Sequence, residues 1–189
     1  MSVQPVRAPQ RGEVRLIGGL WKRTKLPVLD RPGLRPTPDR VRETLFNWLG
    51  QDLSGWRVLD AFAGTGALGL EAASRGAAEV LLLERDAALA TQISAVAQRL
   101  GAQALRVLRE EAMLWMARSP AQCFELVFID PPFDSDLAMP AATAAARLLV
   151  PGGYVFVEAG LALQPPTGLH ARRSQRAGAV FGHLWQRDE

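Results

Sequence analysis

Asp130, Pro131, Pro132 and Phe133 stand together directly after an apolar run, Leu126 to Ile129. A short apolar run closed by turn residues reads as a buried strand. The Asp130 carboxylate and the carbonyl groups held by the prolines are hydrogen-bond acceptors, and Phe133 adds a flat face. Proline fixes its own φ and pushes the preceding residue toward extended geometry, so these acceptors are preset. An exocyclic amino group on a planar base needs that combination of acceptors and a stacking ring. Asp130, Pro131, Pro132 and Phe133 are therefore the candidate catalytic residues. Taken alone, the tetrapeptide is equally compatible with a structural turn after a core strand.

A second constellation lies upstream, Asp60-Ala-Phe62-Ala-Gly64-Thr-Gly66. Glycines let the backbone approach a ligand and leave helix-end amides pointing at it. With Gly69 the glycines also fit the dinucleotide spacing G-x-G-x-x-G, and Glu84 follows at the distance of a ribose-binding acid. A nicotinamide dehydrogenase is thus a real competitor. Three points weigh against it. Asp60 sits poorly beside a pyrophosphate but well beside a cationic amino group, such as the methionine part of S-adenosylmethionine. The chain has little room for a hydride-acceptor domain. Hydride transfer also leaves Asp130 to Phe133 without a task. The candidate cofactor-binding residues are Asp60, Phe62, Gly64, Gly66, Glu84, Arg85, Glu111, Ala112 and Asp130. Glu111 and Ala112 are assigned to the adenine end, although an acid in a first helical turn is as well explained by the helix dipole.

These residues need a scaffold that brings separate strand ends together. From Gly55 onward the pattern alternates. Strands are expected over 57–61, 79–83, 104–108, 125–129 and 154–158, with helices to about Arg75 and over 86–100, 110–117 and the Ala-rich stretch ending at Leu149. Repeated strand–helix units imply an α/β fold, a mostly parallel sheet with helices on both faces. Pro151-Gly152-Gly153 is expected to turn the chain into its fifth strand. Two strands around Ala177-Gly178 read as a C-terminal antiparallel hairpin. Three segments follow: residues 1–13 disordered, 14–50 a short basic N-terminal extension of hairpin plus helix, and 51–189 the main domain. In the extension, Thr37 is expected to cap a helix whose apolar stripe is Val41, Leu45, Trp48 and Leu49, with Pro38 in its first turn. Trp48, on that stripe, is assigned to core packing; for Trp21 core packing is the plainer of the readings left open.

Composition narrows the function classes. One cysteine, Cys123, excludes an intrachain disulfide and a Cys-rich metal site, and with only two histidines a histidine-based metal centre is not expected. No apolar run approaches the roughly 20 residues of a membrane span, so a cytoplasmic protein is the simplest reading. Charge is unevenly spread. Residues 1–50 hold ten Arg/Lys against four acids, residues 51–160 eight against thirteen, and residues 161–189 four against two. A basic periphery around an acidic middle suits phosphate binding outside a catalytic body. Lys22, Arg23, Lys25, Arg35, Arg40 and Arg42 are the candidate phosphate contacts, which become RNA contacts under the resemblance given next, and Arg172, Arg173 and Arg176 are a second basic edge.

Taken together, these segments resemble the RsmD group of 16S rRNA guanine-N2 methyltransferases over about residues 14–185. The resemblance is carried by Arg15-Leu-Ile-Gly-Gly-Leu-Trp-Lys-Arg23, by Leu34-Arg-Pro-Thr-Pro-Asp-Arg-Val-Arg-Glu-Thr-Leu-Phe-Asn-Trp-Leu49, by the glycine turn, by Asp130-Pro-Pro-Phe133 and by Arg176-Ala-Gly178. It implies a Rossmann-like methyltransferase fold, S-adenosylmethionine as cofactor and one guanine of small-subunit ribosomal RNA as substrate. The partner implied is 16S rRNA in the small subunit or an assembly intermediate, met by a monomer. Asp134 and Asp136 depart from the basic residues that relatives often carry after the turn. A DNA amino-methyltransferase and a non-catalytic RNA-binding protein on the same scaffold are the alternatives within reach.

Overall fold

The structure, a computed structural model, describes residues 14–31 and 37–189. The stretch expected to be disordered, residues 1–13, and the candidate Arg35 lie outside the described residues. In chain order the elements are β1 (Val14–Arg15), β2 (Lys25–Leu26), α1 (Asp39–Leu49), β3 (Arg57–Asp60), α2 (Ala67–Ser74), β4 (Glu79–Leu83), α3 (Ala87–Leu100), β5 (Leu105–Leu108), α4 (Ala112–Arg118), β6 (Phe124–Ile129), α5 (Ala138–Leu148), β7 (Leu149–Ala159), β8 (Leu169–Ala177) and β9 (Val180–Arg187). β1 and β2 pair antiparallel as the small N-terminal hairpin. β3 to β9 form one seven-stranded sheet in the order β5-β4-β3-β6-β7-β9-β8. The first five strands of that order run parallel, and β9 and β8 add the antiparallel edge.

Strand alternation decides the layering. Val58, Val80, Leu82, Leu126, Phe128 and Phe156 point to one face and join the buried residues of α1, α2 and α3. Their neighbours Leu59, Leu83, Val127, Ile129, Val155 and Val157 point to the other and pack on α4 and α5. Successive side chains of a strand face opposite ways, so continuous apolar runs are what a sheet covered on both faces requires. The N-terminal hairpin joins the first cluster through Val14, Leu16 and Leu26. Trp21 and Trp48 pack at the margin of that cluster, as expected for Trp48. Among the described residues, no helix is long and apolar enough to cross a membrane.

Two local expectations fail. Thr37 does not cap α1; Pro38 holds the cap position and no side chain accepts the first amides. The Thr37 hydroxyl is committed elsewhere, to Asp130. Pro151-Gly152-Gly153 does not lie before the fifth sheet strand but inside β7, which pairs Phe124 with Leu149, shifts register, and resumes at Leu126 with Tyr154. Glycine is needed there because a Cβ on Gly153 would come within 3.0 Å of the Val150 carbonyl oxygen. The strand absorbs the turn residues as an irregularity, as bulged strands do.

Candidate active site

The sheet is built outward in two directions from β3, through β4 and β5 on one side and β6 and β7 on the other. Ligands of open α/β sheets bind at the carboxyl ends of the strands where this reversal occurs. Here that point lies between β3 and β6, and their carboxyl ends carry the two constellations, with Asp60 opposite Phe128 in register. A cleft of about 790 Å³ opens over them. Phe62, Gly64, Glu84, Arg85, Glu111 and Ala112 line it from the β3–β5 side, and Asp130 to Phe133 from the β6 side.

Asp60 lies under the glycine turn and is only 1% exposed. One carboxylate oxygen accepts from the Gly69 amide at 2.9 Å, in the first turn of α2. The other has no direct hydrogen-bond partner among the described residues. Burial pushes its pKa up to about 7; the Gly69 amide and, less strongly, the Phe62 amide pull it down, while the charges of Asp130 and Glu84 push it further up. A buried acid with an unsatisfied oxygen is costly unless a donor or a cation completes it. The turn above it depends on Gly66, which has φ +78° and touches Ile93 where a Cβ would stand. Gly69 serves packing instead, since a Cβ there would lie 2.8 Å from Leu82.

Glu84 holds this turn from below. Its carboxylate accepts from the Gly64 amide at 2.9 Å and from the Asp86 amide at 2.8 Å. It still faces the cleft, and a carboxylate has lone pairs for more than two donors. Arg85 is exposed beside it. The Glu111 carboxylate caps α4, accepting from the Met113 and Leu114 amides at 3.1 and 2.8 Å. Glu111 and Ala112 nonetheless form part of the cleft wall.

At the opposite wall Asp130 is half-buried and accepts from the Thr37 hydroxyl at 3.0 Å. Burial raises its pKa to about 6, against the hydrogen bond from Thr37, which lowers it. Pro131 is buried and Pro132 exposed. The Phe133 ring is 46% exposed and lies over Gly160, where a Cβ would stand 3.0 Å from the ring edge. The wall thus offers an acid, a rigid carbonyl corner and a part-exposed aromatic ring.

The residues fit S-adenosylmethionine on one particular observation: the orphaned Asp60 oxygen belongs to a buried, ionisable acid adjacent to the glycine turn, which suits an amino group and not a phosphate.

Comparison with known proteins agrees with this geometry. The family model described as "Conserved hypothetical protein 95" matches residues 14–186. The chain belongs to that family. It is 41% identical over 186 residues to "Ribosomal RNA small subunit methyltransferase D" of Escherichia coli, covering 94% of this chain and 91% of that protein. It is 42% identical over 153 residues to the protein of the same name from Haemophilus influenzae, covering 78% and 79%. The solved structure of yhhF from Escherichia coli superposes with a TM-score of 0.83 at 38% identity, covering 94% of this chain and 99% of that one. The resemblance to the RsmD group and the Rossmann-like methyltransferase fold read from the sequence both hold.

The candidate RNA contacts divide. Lys22, Arg23, Lys25 and Arg40 are exposed. The hairpin loop carrying Lys22 and Arg23 is pinned to the carboxyl end of α2, where the Leu20 amide donates to the Ser74 carbonyl at 2.7 Å. α2 begins at the cleft and runs away from it, so this loop lies one helix length, roughly 12 Å, from the glycine turn. Arg40 lies in the first turn of α1, two residues from the cleft-lining Pro38. Arg42 is not an RNA contact. It is fully buried, donates to the Thr37 carbonyl at 3.2 Å, to the Arg15 carbonyl at 2.9 Å and to Glu71 at 3.3 Å, and pairs with Asp39. On a helix it shares a face with Leu45, Phe46 and Leu49, three, four and seven residues on, and that spacing was the available signal. Arg31 is a cleft cation that the sequence reading did not single out. It pairs with Asp86 at 3.3 Å and lines the cleft. Arg172, Arg173 and Arg176 are exposed on β8, with Arg176 stacked over Phe181 at 5.2 Å.

Proposed function

We propose that this chain is an S-adenosylmethionine-dependent methyltransferase that methylates the exocyclic N2 amino group of one guanine in 16S ribosomal RNA, the guanine 966 that its family modifies. The observation that carries the reading is the meeting of the two constellations: a glycine turn over an unsatisfied buried acid and an Asp-Pro-Pro-Phe corner line one cleft from adjacent strands, with the acid itself behind the cleft wall. Support also comes from the relatives that bear the name of a ribosomal RNA methyltransferase.

Asp60 and the turn at Gly64 and Gly66 would hold the methionine part, Glu84 the ribose, and Glu111 with Ala112 the adenine end. Bound there, S-adenosylmethionine supplies an electrophilic methyl group on a sulfonium, so neither a metal nor a covalent enzyme intermediate is required. The difficulty lies with the nucleophile. The lone pair of a guanine N2 is delocalised into the ring. Asp130 and the Pro131 carbonyl accept the two amino hydrogens and draw the nitrogen toward a pyramidal geometry. The Asp130 carboxylate also offsets the positive charge that develops on nitrogen. A carboxylate with its pKa near 6 is a better acceptor for the departing proton than an ordinary aspartate. Phe133 stacks on the base and fixes its plane. The base must leave its stack to reach the cleft, which costs a few kcal/mol, roughly, and least where it is already unpaired.

The RNA backbone is held by cations at the cleft and beside it, with Arg31, which lines it, and Arg40 and Arg176 as candidates. The substrate is the small subunit or an assembly intermediate, and the enzyme acts as a monomer in the cytoplasm. The test is transfer of labelled methyl to small-subunit particles that lack this modification, followed by mapping of the labelled nucleotide. Label on a guanine N2 is expected. Label in DNA alone, or in no nucleic acid, would overturn the reading.

A further inference from the structure

Thr37 stands just before α1, is 4% exposed, and bonds a residue 93 positions away: its Oγ1 donates to Asp130 Oδ2 at 3.0 Å. The threonine is itself fixed from behind. Its carbonyl accepts from Arg42 Nε at 3.2 Å, and Arg42 is locked by Glu71 at 3.3 Å and by the Arg15 carbonyl at 2.9 Å. Glu71 accepts further from the Ile17 amide at 2.9 Å and from Arg75 at 3.0 Å. A buried, saturated polar network of this kind has one low-energy arrangement and passes its rigidity to the groups it holds.

We propose that Thr37 is a positioning residue for methyl transfer: its hydroxyl aims the Asp130 carboxylate at the guanine amino group, and the buried Arg42–Glu71 network holds that hydroxyl in place. The inference rests on the function proposed above. It assigns the N-terminal segment a part in the chemistry besides any part in RNA docking.

The electrostatic setting explains why a donor is needed. Around Asp130 stand the acids Asp60 from β3, Glu84 from β4, Glu158 at the end of β7, and Asp134 and Asp136 beyond its own turn; the cations lining the same cleft are Arg31 and Arg85. Burial favours the protonated form. A protonated Asp130 cannot accept both an amino hydrogen and the departing proton. The Thr37 hydroxyl acts in the opposite sense, favouring the carboxylate and fixing its rotamer.

Thr37→Val keeps the shape of the side chain and removes the donor; Thr37→Ser keeps the donor. Three measurements separate positioning from packing. In single-turnover methyl transfer to small-subunit particles, Thr37→Val is expected to lose about 10- to 100-fold at neutral pH, the range of a hydrogen bond to a charged group. Its acid limb should move to higher pH, and Thr37→Ser should recover most of the rate. Calorimetry should give Thr37→Val a wild-type affinity for S-adenosylmethionine. Carbon-13 titration of the Asp130 carboxyl in ligand-free protein should show a higher pKa in Thr37→Val than in wild type, with Thr37→Ser between them or at wild type. A Thr37→Val protein with wild-type pH profile and wild-type Asp130 titration overturns the inference, as does an equal loss in both variants. Wild-type protein that labels no particle overturns the function instead, and the titration then decides the Thr37–Asp130 contact alone.

Discussion

Glu71 and Asp60 are both buried acids on the same face of the sheet, and they are treated in opposite ways. Glu71, 0% exposed, receives Arg42, Arg75 and the Ile17 amide. Asp60, 1% exposed, receives one good amide bond and no cation, and an oxygen is left over. The first is a closed junction that ties the N-terminal hairpin and α1 to α2. The second is a junction with one place open, beneath the glycine turn that lines the cleft. Burial alone therefore does not mark a functional acid; burial without completion does.

The contrast predicts where substitution does harm. Removing the acid between two buried arginines leaves uncompensated charge, so Glu71→Gln should destabilise the fold by about 3–5 kcal/mol. Chemical denaturation reads this, and a small effect would mean the junction is not closed as described. Asp130→Ala should cut turnover by roughly 10²- to 10³-fold, the range for losing a group that meets charge in the transition state. Cofactor affinity, read by calorimetry, should stay within about threefold of wild type, since such a loss is confined to the chemical step.

Asp60→Asn should do the reverse of Glu71→Gln. Cofactor affinity should fall by about tenfold to a hundredfold, the measure of losing a charged partner in a buried site, while the fold is spared. The pH dependence has a definite sign. A pKa raised to about 7 in the folded protein means that Asp60 favours folding fully below its ordinary range near 4, and that this contribution is lost as pH rises through 7. Ligand-free wild type should therefore lose thermal stability over that interval more steeply than Asp60→Asn. Cofactor binding should strengthen over the same interval as Asp60 ionises. Parallel melting curves for the two proteins from pH 5 to 8 would show that Asp60 does not titrate as described. The smallest effect is expected at Arg40. Arg40→Ala should weaken RNA binding only a few-fold, about evenly across sequences, and reduce the slope of log affinity against log salt by about one. An unchanged slope would remove Arg40 from the phosphate contacts.

Much of the fold was legible because its signals are local. Apolar runs of five or six residues, glycine and proline punctuation and alternating strand–helix spacing mark the sheet, and the same punctuation marks Asp60 to Gly66 and Asp130 to Phe133. What stayed hidden depends on partners far along the chain. Thr37 reads as a helix cap until Asp130 is brought to it, and Arg42 reads as one more basic residue until Glu71 is placed beside it. Glu71 itself interrupts an otherwise apolar helix, Ala67–Ser74, and an acid there implies a buried cation somewhere. Pro151-Gly152-Gly153 misled for the opposite reason. Its local turn signal is real, but cross-strand pairing on both sides carried β7 through it.

The sheet ends at β8, a nine-residue strand that bonds β9 along one side only. An open margin of that length invites another polypeptide to add a strand. Arg172, Arg173 and Arg176 stud this one, so a second copy approaching edge to edge would bring like charges together. A polyanion meets no such penalty. The charge on this margin therefore opposes pairing with a second copy and would favour a polyanion.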